Sequence, residues 1–254
     1  ETKEELVEAL ESAADRLVDA TSAVLGPDAF VSAGGDEPRV AFLFPGQGAQ
    51  RVGLLRDAYD RFEGFRRRVD ALASSVDEYF ERPLTHYLYP DLAGELFDIE
   101  RAEDELKATE ICQPAMALLG LALAAFVRED LGLEPEFTLG HSLGEFVAVG
   151  AAGLASDEDI LRFVTERGRL MAELELEDQG AMVAIMGDEK MVSARLEGYD
   201  AIQIANLNHP QQTVVSGATA QIERLASQLE EDGIKATLLR VSHAFHSPLV
   251  AGVA

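Results

Sequence analysis

The chain has 254 residues, 47% of them hydrophobic, which is enough for a sizeable core. Its formal net charge of −25 argues against nucleic-acid binding and disfavours attraction to anionic membranes, because both require a basic surface. The single cysteine, Cys112, excludes a disulfide within the chain and is typical of a reducing compartment, so we expect a cytoplasmic location.

Residues 1–38 are expected to precede the main fold. Apolar side chains at helical spacing predict an amphipathic helix over residues 3–25. Residues 32–38, which contain two glycines and end in proline, predict a flexible segment. The acidic N-terminus does not resemble a signal peptide, which begins with a basic segment followed by an apolar one.

Residues 39–178 alternate between strand and helix patterns. A buried strand is predicted over residues 39–44 and a second strand over residues 137–139. An apolar helix is predicted to begin after Pro114, and its longest apolar run, residues 115–127, is too short to cross a bilayer. This alternation favours an α/β fold, in which helices cover the faces of a parallel sheet.

Residues 179–241 have a different pattern, in which strands and helices follow the order βαββαβ. This order is typical of a ferredoxin-like unit, so we expect a compact subdomain inserted into the core, to which residues 242–254 return. The predicted elements are strands over residues 181–186, 201–205, 213–216 and 235–241, and helices over residues 189–196 and 219–231.

Ser142 lies in the sequence Gly-His-Ser-Leu-Gly, residues 140–144, between a predicted strand and a predicted helix. Glycines on both sides allow the strained turn of a nucleophile elbow, which lifts the hydroxyl over the end of a hydrolase-like sheet. A serine is a weak nucleophile at its own pKa and needs a base at hydrogen-bond distance, for which His246 is a candidate. The glycine-rich loop at residues 44–48 is a candidate source of backbone N–H groups for a developing oxyanion.

Five motifs occur in order along the chain: Phe-Pro-Gly-Gln-Gly-Ala-Gln (44–50), Gln-Pro-Ala (113–115), Gly-His-Ser-Leu-Gly-Glu (140–145), Arg-Gly-Arg-Leu-Met (167–171) and His-Ala-Phe-His-Ser (243–247). From about residue 39 to residue 248 they resemble the malonyl-CoA:acyl-carrier-protein transacylase family, most closely the acyltransferase domains of type I polyketide synthases. Residues 1–38 resemble the end of the segment that joins a ketosynthase to such an acyltransferase.

The resemblance implies a role for each matching residue. Ser142 would be the nucleophile that takes the acyl group from coenzyme A, and His246 would be its base. Arg167 would pair with the free carboxylate of a malonyl group. Two residues would form the oxyanion hole through their backbone N–H groups, Gln47 and Leu143. Four further residues match family positions that line the substrate pocket: Gln113, Asn208, His243 and Phe245.

The resemblance also implies a substrate and partners. Members with His-Ala-Phe-His at this point and Leu after the elbow serine resemble malonyl-selective enzymes, since Phe245 would fill the space that an α-methyl group needs. The acceptor would be the phosphopantetheine thiol of an acyl carrier protein, in polyketide or fatty-acid synthesis, with a ketosynthase domain in the same polypeptide. No metal and no bound cofactor are expected, because no ligand cluster or dinucleotide fingerprint is present.

Members of the family continue beyond the position of residue 254, so the C-terminal part of the core is expected to be missing from this chain. Two alternatives remain at this point. An α/β-hydrolase-type esterase or thioesterase also uses an elbow serine, but it places an Asp or Glu between serine and histidine in chain order. A truncated, non-catalytic docking fragment is the other.

Overall fold

The structure is a computed structural model that describes residues 7, 22–26, 29–32, 39–94, 96–174, 176–239 and 244–253. Contacts divide the chain into two units, Glu1–Val40 and Ala41–Ala254. The described residues of the second unit form two sheets. They also form every described helix apart from the helical residue Val7, which belongs to the first unit.

The first unit contains an antiparallel strand pair, β1 (Ser22–Gly26) and β2 (Ala29–Ser32). The predicted helix over residues 3–25 is therefore wrong from Ser22 onward. Short segments containing valine, separated by Gly26 and the following Pro-Asp pair, suit a tight hairpin better than a helix. Apart from Val7, which is helical, the rest of that predicted helix and residues 33–38 lie outside the described residues.

The second unit begins with a two-stranded parallel sheet, β3 (Ala41–Phe44) and β4 (Phe137–Gly140), and a group of helices. The helices are α1 (Arg56–Arg61), α2 (Glu63–Ser74), α3 (Leu84–Leu88), α4 (Ile99–Lys107), α5 (Thr109–Glu129), α6 (Leu143–Ala151) and α7 (Asp157–Ala172). The described residues of the same unit also form 3-10 turns at Asp77–Tyr79, Pro90–Ala93 and Pro248–Val253.

Strand β3 is only half buried, so the prediction of a buried strand is wrong for part of its length. Phe44 packs into the core, but Leu43 is 71% exposed, and on the paired strand Leu139 is 53% exposed. Helix α6 packs against both strands and covers one face of the sheet. Because side chains alternate between the two faces of a strand, Leu43 and Leu139 point away from that cover.

Helix α5 is the centre of the core, where it packs against α2, α3, α4, α6 and α7. It begins at Thr109 rather than after Pro114, which lies inside the helix. Burial of Ile111, Cys112 and Gln113 in the early turns favours the longer helix despite the missing proline N–H. Among the described residues it is the one helix long and apolar enough to cross a membrane, and 72% of that stretch is buried inside the protein.

The second sheet has the predicted βαββαβ order: β5 (Ala181–Ile185), α8 (Glu189–Arg195), β6 (Ile202–His209), β7 (Gln212–Gly217), α9 (Thr219–Glu231) and β8 (Ala236–Leu238). Its strands are antiparallel in the order β6-β7-β5-β8. They bury Val183, Ile185 and Val215 in one cluster with Ile222 of α9. Strand β6 continues to His209, four residues beyond its predicted end, with irregular register at two points. This longer edge strand carries polar side chains toward the catalytic cleft described below.

Candidate active site

The turn between β4 and α6 has the geometry of a nucleophile elbow. Ser142 has φ 54° and ψ −111°, a strained conformation for a residue with a side chain, and α6 begins directly after it. A Cβ atom on Gly140 would lie 2.1 Å from the carbonyl of Gly144, and one on Gly144 would lie 2.2 Å from the carbonyl oxygen of Phe44. Both glycines are therefore required for the chain to pass through this turn.

His246 contacts the elbow serine directly. Its Nε2 lies 2.8 Å from the Oγ of Ser142, although 104 residues separate them in sequence. Hydrogen bonds on both sides of His246 hold the turn that carries it. The N–H of Ala244 donates to the carbonyl of Gln179 at 2.8 Å, and the hydroxyl of Ser247 donates to the carbonyl of Ala244 at 2.6 Å. The distance between Ser142 and His246 is that required for proton transfer from the serine.

The surroundings of His246 lower its pKa below the usual value of a histidine. Partial burial in the cleft is the largest cause, although the residue as a whole is exposed, and the positive charge of Arg167 is the second. Glu145 acts in the opposite direction, and His141 lowers the pKa slightly further. A lowered pKa keeps the imidazole neutral, and therefore able to accept a proton, at neutral pH.

The glycine-rich loop after β3 passes close beside the elbow. A Cβ atom on Gly46 would lie 2.8 Å from the carbonyl oxygen of His141 and 3.5 Å from the Cβ of Ser142. Strands β3 and β4 are parallel, with Phe44 opposite Gly140, so both loops leave the same edge of the sheet. Within the described part of the chain, no hydrogen bond engages the backbone N–H groups of Gln47 and Leu143, which leaves both available for an oxyanion.

Arg167 is half-buried on α7 and is joined to the loop through a chain of polar side chains. Its guanidinium donates to the Oε1 of Gln113, which is fully buried. The Nε2 of Gln113 donates to the hydroxyl of Thr109 at 2.8 Å, and this hydroxyl also accepts a bond of 3.2 Å from the Nε2 of Gln47. The guanidinium lies 5.5 Å from the ring centre of Phe146, and burial lowers its pKa.

The cleft around Ser142 has a volume of about 460 Å³. Five of the predicted site residues line it, namely Gln47, Ser142, Asn208, Phe245 and His246. Gln113 and Arg167 are not part of this lining, and Leu143 is fully buried. His243 lies outside the described residues. The part of the chain that the structure describes has no group of three or more side chains that could hold a metal ion.

Several residues near the site were not predicted from the sequence, among them Thr109, Lys107 and Met182. Thr109 connects Gln47 to Gln113, and Lys107 and Met182 line the cleft. Lys107 is one of only four lysines and lies six residues before Gln113. Its closeness in sequence to a predicted site residue is a signal that could have identified it. Met182 lies on β5 and gives no such signal in the sequence.

Comparisons with known proteins agree with this geometry. A family model described as an acyl transferase domain matches residues 41–254. The phenolphthiocerol synthesis polyketide synthase type I of Mycobacterium marinum is 37% identical over 233 residues, which are 91% of this chain and 10% of that protein. The malonyl CoA-acyl carrier protein transacylase of Bacillus subtilis is 35% identical over 218 residues, which are 84% of this chain and 64% of that protein.

The same likeness holds in three dimensions. The acyltransferase domain from the second module of the salinomycin polyketide synthase superposes with a TM-score of 0.81 at 34% identity. That match covers 100% of this chain and 55% of the solved one. The chain therefore spans less than two thirds of the length of each of these three relatives.

The lowered pKa of His246 predicts a pH dependence. Acylation of Ser142 by p-nitrophenyl acetate should increase as His246 loses its proton, with a midpoint below the usual histidine value of about 6.5. Arg167→Gln should move this midpoint to higher pH, because the positive charge of Arg167 lowers the pKa of His246. The probe has no carboxylate, so loss of an ion pair with substrate does not affect the result.

The control for this measurement is Arg162→Gln, an exposed arginine on the same helix. Its midpoint should equal that of the wild type. If the midpoint is also unchanged in Arg167→Gln, the proposed electrostatic coupling between Arg167 and His246 is wrong.

Proposed function

The chain belongs to the acyl transferase domain family, and from this premise we propose that it moves a malonyl group from coenzyme A to the phosphopantetheine thiol of an acyl carrier protein. The observation that carries the proposal is the 2.8 Å contact between Ser142 Oγ and His246 Nε2 at a strained elbow. Relatives named as a polyketide synthase and a malonyl CoA-acyl carrier protein transacylase support the choice of substrates.

The first half of the reaction acylates the serine. The Oγ of Ser142 attacks the thioester carbonyl while the Nε2 of His246 takes the hydroxyl proton. The oxygen of the tetrahedral intermediate accepts hydrogen bonds from the N–H groups of Gln47 and Leu143. The carbon–sulfur bond then breaks, and His246 returns its proton to the coenzyme A thiolate, which leaves as a thiol.

The second half reverses these roles. His246 takes the proton of the phosphopantetheine thiol, whose sulfur attacks the ester carbonyl of malonyl-Ser142. The same two N–H groups stabilise the second oxyanion, the carbon–oxygen bond breaks, and His246 returns the proton to Ser142. His246 therefore serves as the base in both half-reactions, so its imidazole must stay within hydrogen-bond distance of Ser142 throughout.

Arg167 and Gln113 are proposed to recognise the free carboxylate of the malonyl group. A guanidinium binds a carboxylate through two parallel N–H···O bonds, and the bond to Gln113 holds one end of the arginine in place. The lowered pKa of Arg167 reflects a buried charge whose hydrogen-bond partner in the described chain, Gln113, is neutral. A substrate carboxylate would compensate that charge.

The two alternatives have less support. A hydrolase-type triad needs a carboxylate on the second imidazole nitrogen, and among the described residues no Asp or Glu is hydrogen bonded to His246. A docking fragment without activity would not need a strained serine aligned with a histidine. We therefore favour acyl transfer over both alternatives.

The setting of the domain is also a proposal. We propose a cytoplasmic enzyme, with its core over residues 39–178 and 242–254 and an inserted unit over residues 179–241. A ketosynthase domain in the same polypeptide is proposed as its neighbour, with residues 1–38 as the linker. The relatives that are polyketide synthases support this arrangement, since the chain matches only 10% of the length of one of them.

Replacement of the nucleophile tests the function. Brief exposure of the full-length protein to malonyl-CoA should add one malonyl group to the wild type and none to Ser142→Ala, as measured by intact-protein mass spectrometry. Ser193→Ala, at an exposed serine on α8, should label like the wild type. Persistent labelling of Ser142→Ala would show that another residue carries the acyl group.

The carboxylate-binding role of Arg167 gives a second test. Arg167→Ala should reduce kcat/KM for malonyl-CoA about 10- to 100-fold more than for acetyl-CoA, because a charge-assisted hydrogen bond is worth about 1.5–3 kcal/mol. Arg162→Ala on the same helix is the matched control and should change neither value. Equal losses for the two substrates would contradict the role.

The third test concerns the α-carbon of the substrate. Phe245→Ser should lower the preference for malonyl-CoA over methylmalonyl-CoA by about 10-fold, since accommodation of one methyl group is worth about 1–3 kcal/mol. The ratio of kcat/KM for the two substrates measures the preference. Phe97→Ser, at an exposed phenylalanine outside the cleft lining, should leave the ratio unchanged. An unchanged ratio in Phe245→Ser would exclude steric selection by this side chain.

A further inference from the structure

Strand β6 contacts the elbow at His141 and the turn that carries His246. This strand forms one edge of the four-stranded sheet. Near its end, the Oδ1 of Asn208 lies 2.8 Å from the Nε2 of His141, the residue before the nucleophile. Near its start, the Nε2 of Gln203 donates to the backbone carbonyl of His246 itself. One edge strand is thus bonded to the elbow and to the turn that carries the base.

The backbone of His246 needs such support. Its φ of 58° lies in the left-handed region, which a residue with a side chain adopts only when its surroundings hold it there. Of the imidazole nitrogens, Nε2 bonds to Ser142, and within the described residues no hydrogen bond engages Nδ1. The orientation of the ring therefore depends on how firmly the backbone at residue 246 is fixed.

We propose that Gln203 is a positioning residue that fixes the carbonyl of His246 and thereby keeps its Nε2 in line with Ser142 Oγ. The inference rests on the proposed acyl transfer and extends it, because it assigns to the inserted unit a part in the chemistry. A hydrogen bond from Gln203 restricts rotation of the peptide after His246. Without it, the imidazole would spend part of its time away from the serine.

The test uses Gln203→Met, which keeps the length of the side chain and its neutral charge but removes the N–H donor. The rate of Ser142 acylation should fall about 3- to 10-fold for both malonyl-CoA and p-nitrophenyl acetate, while the KM for malonyl-CoA stays constant. Transfer from malonyl-Ser142 to the thiol acceptor should fall by the same factor, because one histidine serves both steps. The rate of Ser142 acylation in Gln203→Glu, which also lacks the donor, should fall by at least the same factor.

The control is Gln211→Met, an exposed glutamine in the turn of the same hairpin, which should match the wild type in every measurement. Melting temperatures report folding separately. Unchanged acylation in Gln203→Met, a loss that appears in KM rather than in the rate, or an equal loss in Gln211→Met would each overturn the inference. A wild type that never forms malonyl-Ser142 would instead overturn the proposed function, and the p-nitrophenyl acetate rates would still test Gln203.

Discussion

The hydrogen bond between Ser142 and His246 is the interaction on which the rest of the site depends. Both residues have a positive φ, so the backbone is strained at each end of this one bond. Strain of this kind costs about 1–3 kcal/mol per residue and persists only where the surrounding structure enforces it. At Ser142 the conformation is enforced by β4, which ends two residues before it, and by α6, which begins at the next residue. At His246 it comes from the bonds of Ala244, Ser247 and Gln203.

The parallel pairing of β3 and β4 determines where the two loops of the site lie. With Phe44 opposite Gly140, the glycine-rich loop and the elbow emerge side by side, close enough that Gly46 could not carry a Cβ atom without a shift. The backbone N–H groups of Gln47 and Leu143 thereby come to one edge of the sheet.

The buried thiol of Cys112 lies beside the glycine-rich loop, and burial raises its pKa to about 11. The thiol therefore stays protonated and leaves the nucleophilic role to Ser142.

The sequence predicted the parts of the site that lie in local motifs and missed those that depend on packing. Ser142 could be recognised because two glycines and a strand–turn–helix pattern surround it, and His246 because its motif resembles a family. Gln203 could not, since it is one polar residue on an edge strand and its partner is a backbone carbonyl 43 residues away. Pro114 misled the placement of a helix start, because the burial of neighbouring side chains outweighed the local preference of proline. The four-stranded sheet was predictable because short apolar runs and helical patterns follow one another along residues 181–241 in the order βαββαβ.

The cleft does not share the strongly acidic character of the chain, and this difference favours an anionic substrate. The chain carries a net charge of −25, yet the described residues that line the cleft include Lys107 and no Asp or Glu. At physiological ionic strength, interactions between exposed charges are largely screened beyond about 8 Å, so the acidic outer surface contributes little within the cleft. Lys107 is paired with Asp104 at 2.8 Å, which reduces its effect within the cleft. The half-buried Arg167 donates to a neutral partner, Gln113, among the described residues. The proposed malonyl thioester matches this arrangement, because its free carboxylate can pair with the guanidinium of Arg167 while its carbonyl reaches Ser142.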